Sequence, residues 1–166
     1  MHGTVHLFEH LPQVDETPVS ADVHHLAPAV RTQPLVGLIR NPRSHGNAGR
    51  EAGPESGRDT PENTADNILV QTPRKRSELT GILTRFAKER VDFIAIDGGD
   101  GTVRDVLTLG AGIFGSSWPT LILLPTGKTN ALGHDLGVPN NWSIEEALKA
   151  AKAGSISTRQ PILVSQ

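Results

Sequence analysis

Five short apolar runs punctuate the chain from Leu35 onward: Leu35–Ile39, Ile68–Val70, Phe93–Ile96, Leu121–Leu124 and Ile162–Val164. They are nearly continuous rather than alternating, and rich in β-branched residues. Strands buried on both faces of a parallel sheet read this way. Between them the period becomes helical. Leu79, Ile82, Leu83 and Phe86 fall at i, i+3, i+4 and i+7, with Glu78, Arg85, Lys88 and Glu89 on the other faces. That spacing predicts an amphipathic helix of about four turns. Val103, Val106, Leu107 and Leu109 predict another over Thr102–Leu109. Ser143-Ile144-Glu145-Glu146 opens a further helix, with Ser143 as N-cap, Glu146 completing a capping box and Gly154 just past the end. Alternation of strand and helix predicts an α/β fold: an open, mostly parallel sheet with helices on both faces.

Two stretches break this grammar. Residues 1–33 hold five of the seven histidines and three prolines and show no sustained period, so a disordered tail is expected there. His2, His6 and His10 have a helical ligand spacing, but no acidic pattern accompanies them, and scattered histidines on a solvated tail account for them. Residues 41–65 contain no Val, Ile, Leu, Met, Phe or Trp. A polar connection of that length exceeds the usual ~12–15 residues, so its start is expected to be functional and the remainder, from about 46 to 64, mobile. A folded domain is expected to span 34–166.

Composition narrows the class. The hydrophobic fraction of 36%, with 17 glycines added, reaches roughly 46%, which is globular. A net charge of −2 excludes a strongly basic nucleic-acid binder read from bulk charge. The absence of cysteine excludes disulfide scaffolds, thiolate metal sites and cysteine nucleophiles. No apolar run approaches the ~18 residues of a membrane span, and the N-terminus lacks the features of a signal peptide. A soluble, cytoplasmic protein is the expectation. Arg74-Lys75-Arg76, ahead of an amphipathic helix, is the one cue toward the inner membrane face, and three cations at ~1 kcal/mol each give weak attraction.

The chemistry concentrates where apolar runs end. Asp97-Gly98-Gly99-Asp100-Gly101-Thr102 follows the Phe93–Ile96 run and opens a helix. Its glycines let backbone approach a ligand, and its N–H groups with the helix N-terminus form an anion site. Asp100 adds a carboxylate, which makes sense beside phosphate if Mg²⁺ bridges the two. Pro125-Thr126-Gly127-Lys128-Thr129-Asn130 follows the next run and offers a cation and two hydroxyls at a helix start. It is not a Walker A loop, because the required earlier glycine position is Ile122. Asn41-Pro42-Arg43-Ser44 follows the first run. Gly110-Ala111-Gly112-Ile113-Phe114-Gly115 matches GxGxxG, but it follows a helix instead of a strand and is set aside. Open α/β sheets bind ligands at the carboxyl ends of strands, and the three retained segments converge on that edge.

Asn41-Pro42-x-Ser44, Gly98-Gly99-Asp100-Gly101-Thr102 and Pro125-x-Gly127-x-x-Asn130, in this order, resemble the catalytic domain of the diacylglycerol kinase and lipid kinase family. The resemblance covers about 34–164. It implies ATP and Mg²⁺ in the α/β domain and phosphoryl transfer to a lipid hydroxyl. It implies that Asn41 and Ser44 meet the nucleotide and that Gly98, Gly99, Gly101 and Thr102 wrap its phosphates. Asp100 would be the essential acidic residue, acting through the metal or on the attacking hydroxyl. Gly127, Lys128, Thr129 and Asn130 would line the same pocket. The chain departs from the family pattern at several places. Arg104 and Asp105 stand where the family often has Asn-Glu, Lys128 stands in a Thr place, and Ala131 stands in an Asp place. The helix expected after Asn-Pro-x-Ser is replaced by polar loop. The family's second, β-rich domain would begin where the chain ends, so half of the clamp for transfer is expected to come from elsewhere. Expected partners are therefore a nucleotide and a lipid acceptor or membrane surface, with a second copy or a partner chain left open, and no nucleic acid. Two further readings stand beside the lipid kinase: a non-catalytic, partner-dependent nucleotide-binding module, and a NAD-kinase-like enzyme.

Overall fold

The computed structural model describes residues 33–48 and 67–158, which fall in one compact unit, Arg31–Gln166. The expectations for the tail up to residue 32, for 49–65 and for a strand at Ile162–Val164 lie outside the described residues.

Four strands form the sheet: β1 (Val36–Arg40), β2 (Ile68–Gln71), β3 (Phe93–Gly98) and β4 (Thr120–Pro125). They lie in the order β2-β1-β3-β4, every pair parallel. β1 aligns Val36 with Ile68 on one side and with Phe93 on the other, so the carboxyl ends of the strands form one edge. The chain leaves β1 toward β2 at one margin and leaves β3 toward β4 at the other. The gap between the ends of β1 and β3 is therefore a topological switch point, the place where open α/β sheets hold ligands.

Alternation along the strands sorts the core onto two faces. Ile39, Ile94, Ile96 and Leu123 pack beneath α1 (Arg76–Glu89) and α2 (Asp100–Phe114) with Leu83, Phe86 and Val106. Val36, Leu38, Ala95 and Ile122 face the other way, toward Ala147 of α4 (Ile144–Lys152). Helices thus cover both faces, as the apolar pattern required. A Cβ on Gly37 would meet the Phe86 ring at 2.5 Å, so only glycine lets that fully buried ring lie against β1.

Helix ends follow local chemistry. Ser143 caps α4 through a capping box with Glu146, and Gly154 takes φ +84° two residues beyond its last turn. α1 stops at Arg90, whose φ of 52° is left-handed. α2 is longer than the apolar positions implied. It starts at Asp100 and runs to Phe114, so Gly110 and Gly112 are helical and only Gly115 ends the helix. Gly110 stays in place because the Trp118 ring closes on it and leaves no room for a Cβ. A short helix, α3 (Ala131–Asp135), follows β4.

Candidate functional site

Three strand-end segments meet at the switch point, and the carboxylate of Asp97 joins two of them. Asp97 is the next-to-last residue of β3 and is 4% exposed. A buried carboxylate is stable only when donors replace its water. Arg40 Nε donates to Oδ2 at 3.0 Å, and Asn47 Nδ2 and Thr126 Oγ1 donate to Oδ1 at 2.8 and 2.9 Å. Arg40 is also the register partner of Asp97 on the neighbouring strand, so the pair closes the ends of β1 and β3. The segment after β1 folds on itself: Asn41 Oδ1 accepts from the Arg43 N–H at 2.9 Å, and the Asn41 carbonyl accepts from Asn47 Nδ2 at 3.1 Å. The Gly46 N–H then reaches the Thr126 carbonyl at 2.7 Å, and Ser44 Oγ lies 2.9 Å from Thr126 Oγ1.

The glycine-rich segment is held from both sides. Asn41 Nδ2 donates to Thr102 Oγ1 at 2.8 Å. Gly99 lies against Gly127, where a Cβ would come within 2.9 Å of the Gly127 Cα. Both oxygens of Asp100 are engaged: they accept from the Ala131 N–H at 2.9 Å and the Leu132 N–H at 3.1 Å. Asp100 therefore caps α3 across the chain. Asn130, in the left-handed region at φ 52°, contributes no side-chain cap to α3 and instead donates from Nδ2 to the Gly127 carbonyl. Its Oδ1 is buried without a partner.

Two clefts open at this edge, one over each face of the sheet. The smaller, about 240 Å³, lies on the α1 side and is lined by Asn41, Thr102 and Leu79 together with Arg43, Arg74 and Lys75. The larger, about 690 Å³, lies on the α4 side over Leu38, Leu124 and Ile144, and takes in Gly127, Lys128 and Asn130. The resemblance implied one pocket. Asn41 and Thr102 line the smaller cleft, and Gly127, Lys128 and Asn130 line the larger. Ser44 is buried in the loop, Gly98 is buried under Thr102, and Gly101, Lys128 and Thr129 are exposed. Among the described residues no group of three or more His, Cys, Asp or Glu is arranged to hold a metal ion.

The chain matches the family model of the diacylglycerol kinase catalytic domain over residues 36–162. The chain belongs to that family. Solved structures agree with the membership of this diacylglycerol kinase catalytic domain. A diacylglycerol kinase structure from Bacillus anthracis str. Sterne is 27% identical, with a TM-score of 0.53 over 75% of this chain and 41% of that one. A second structure from the same organism, named for the same kinase class, gives 27% identity and a TM-score of 0.53 over 76% of this chain and 44% of that one. The chain thus spans less than half the length of those two. Comparison with curated protein sequences gives no match.

From the sequence, neither Asp97 nor Thr126 received a role, although both lie in the candidate segments, and neither Arg40 nor Asn47 was singled out. The signal for two of them was present: opposite charges, Arg40 and Asp97, end two apolar runs directly before candidate loops. Thr126 was marked only as one of two hydroxyls in its segment, and Asn47 carries no mark. Among the described residues no helix is long and apolar enough to cross a membrane.

Proposed function

We propose that this domain binds ATP and serves transfer of its γ-phosphoryl group to a lipid hydroxyl. The observation that carries the reading is the smaller cleft. Arg43, Arg74 and Lys75 gather there beside Asn41, Thr102 and the start of α2, at the switch point. Guanidinium and ammonium groups at a helix N-terminus suit a polyphosphate. Family membership supplies the reaction class, and the diacylglycerol kinases to which the chain is similar supply the lipid.

In this reading the nucleotide phosphates lie against Gly99, Gly101 and Thr102, with Arg43 and Lys75 neutralising charge. Asn41 holds Thr102 in place through its amide. A carboxylate oxygen carries about two lone pairs, so Asp100 keeps acceptor capacity beyond its two backbone bonds. That donor set fits a Mg²⁺ ion carried in on the nucleotide, with Asp100 as its protein carboxylate. Asp100 would hold such an ion, which would supply charge neutralisation on the transferring group. Ser44 acts through Thr126 and shapes the loop. The larger cleft, over the other face of the sheet, receives the acceptor alcohol.

The test is transfer of labelled γ-phosphate from ATP to dispersed diacylglycerol, with and without Mg²⁺, by the chain alone and joined to a β-rich second domain from a relative. Label in lipid in either form is the expected result. Label in NAD and not in lipid overturns the lipid reading, and no nucleotide binding by calorimetry overturns the kinase reading.

A further inference from the structure

The smaller cleft holds more positive charge than its own residues balance. Of the four cations that line it among the described residues, Arg76 is matched by Asp105 at 3.2 Å. The side chains of Arg43, Arg74 and Lys75 make no hydrogen bond or ion pair among the described residues. Unpaired like charges around one opening repel until an anion of several charges sits between them. The first turns of two helices meet the same opening, with Arg76 from α1 and Thr102 from α2, and neither helix has a side-chain cap. Their N–H groups add to the attraction for an anion. A nucleotide base finds far less. Among the described residues the apolar lining is Leu79 and Pro73, without an aromatic ring, and the one carboxylate, Asp105, is shared by Arg76 and Arg104. At about 240 Å³ the cleft falls short of the ~300–1,000 Å³ of sites that enclose a whole small molecule.

Charge and volume therefore suit a run of phosphates and leave the rest of a nucleotide outside. We infer that the smaller cleft reads the triphosphate and not the base, so that it takes ATP, GTP and CTP alike, and inorganic tripolyphosphate with them. The shared chemistry is an uncapped triphosphate, whether it ends a nucleotide or stands alone. Its non-bridging oxygens accept from Arg43, Arg74 and Lys75 in charge-assisted hydrogen bonds beside the start of α2. A guanidinium plane stacks on a base, but it does so on any base, because each presents a π-face. Asp105 has both its arginine partners in place and is not free to tell one base edge from another. The inference rests on placing the nucleotide phosphates in the smaller cleft, and its test separates the two.

The chain is titrated calorimetrically, with Mg²⁺ present, with ATP, GTP, CTP, inorganic tripolyphosphate and AMP. The three nucleoside triphosphates are expected to bind within roughly threefold of one another, and AMP about tenfold or more below them. Tripolyphosphate is expected to bind at one site and to displace ATP from it. Arg43→Ala combined with Arg74→Ala is expected to weaken all four triphosphates by a common factor of about tenfold or more. ATP bound about tenfold or more above GTP and CTP overturns the inference and leaves the kinase reading standing, because the base is then read. ATP that tripolyphosphate does not displace has the same consequence. Tripolyphosphate binding that persists undiminished in the double variant also overturns the inference, since the anion then sits elsewhere on the surface. Similar binding of all four triphosphates supports it with either source. Binding of tripolyphosphate and of none of the nucleotides overturns the ATP reading and keeps a phosphate-reading cleft with an inorganic source. No binding by any of the four overturns both.

Discussion

A carboxylate that is 4% exposed draws its stability from the donors around it, and Asp97 has three from two loops and a strand. Removing one donor leaves charge in a dry place. The Arg40 side chain is 26% exposed, so water recovers part of the loss. Arg40→Met is therefore expected to lower the unfolding free energy by about 2 kcal/mol, below the range for wholly buried pairs, as measured by urea denaturation. A change under ~0.5 kcal/mol, typical of exposed pairs, would show that the pair stabilises nothing. Asp100 obeys a different logic, because its partners are backbone N–H groups of α3. Asp100→Asn turns one acceptor into a donor facing an N–H, so a stability loss of about 1 kcal/mol is expected without any ligand. Weaker MgADP binding in the same variant reports the metal-facing role separately, since metal-free ADP gains from removal of a negative charge. The glycine-rich segment was legible as chemistry because glycine and carboxylate are explicit in the sequence. That Asp100 caps a helix thirty-odd residues away was not, since the bond depends on how two strand ends lie side by side.

At the scale of elements, the sheet was readable because buried parallel strands must be apolar on both sides, and the four described runs became four strands with ends shifted by a residue or two. α4 was readable from its capping box, which is a local signal. The far end of α2 was not. Gly110 and Gly112 are poor helix formers, and at Gly110 contact with Trp118, which also lies 5.0 Å from the Phe114 ring, overrides that preference. α3 was hidden for a similar reason: its cap comes from Asp100 instead of from a neighbouring residue. Two glycines test this division between local and tertiary control. Gly37→Ala pushes a methyl into the Phe86 ring and is expected to cost ~1–3 kcal/mol. Gly81→Ala, inside α1 with nothing within 4 Å of the added methyl, is expected to gain ~0.5–1 kcal/mol. Thermal unfolding of the two variants should move in opposite directions.

At the scale of the molecule, the switch point matters because it gives one strand edge two clefts of unlike character. The smaller offers cations near a helix start, and the larger offers volume and an apolar floor. The Asp97 cluster reaches both, since Asp97 and Arg40 line the larger cleft while Asn41, bonded to Thr102 and through its carbonyl to Asn47, lines the smaller. If the smaller cleft holds polyphosphate, affinity must come from charge and must respond to salt. ADP is therefore expected to bind far more tightly than adenosine. Raising NaCl from about 0.05 M to about 0.5 M should weaken ADP severalfold and leave adenosine unchanged, because the screening length shrinks below the reach of Arg43, Arg74 and Lys75. MgADP at a hundred times its dissociation constant should add ~2.7 kcal/mol to the unfolding free energy, a shift that thermal denaturation reads directly. Arg43→Ala combined with Arg74→Ala should remove most of the salt dependence while leaving the melting temperature of the ligand-free chain near the parent's, since both side chains are exposed. Equal binding of adenosine and ADP in this titration would mean that the phosphates do not lie among those cations.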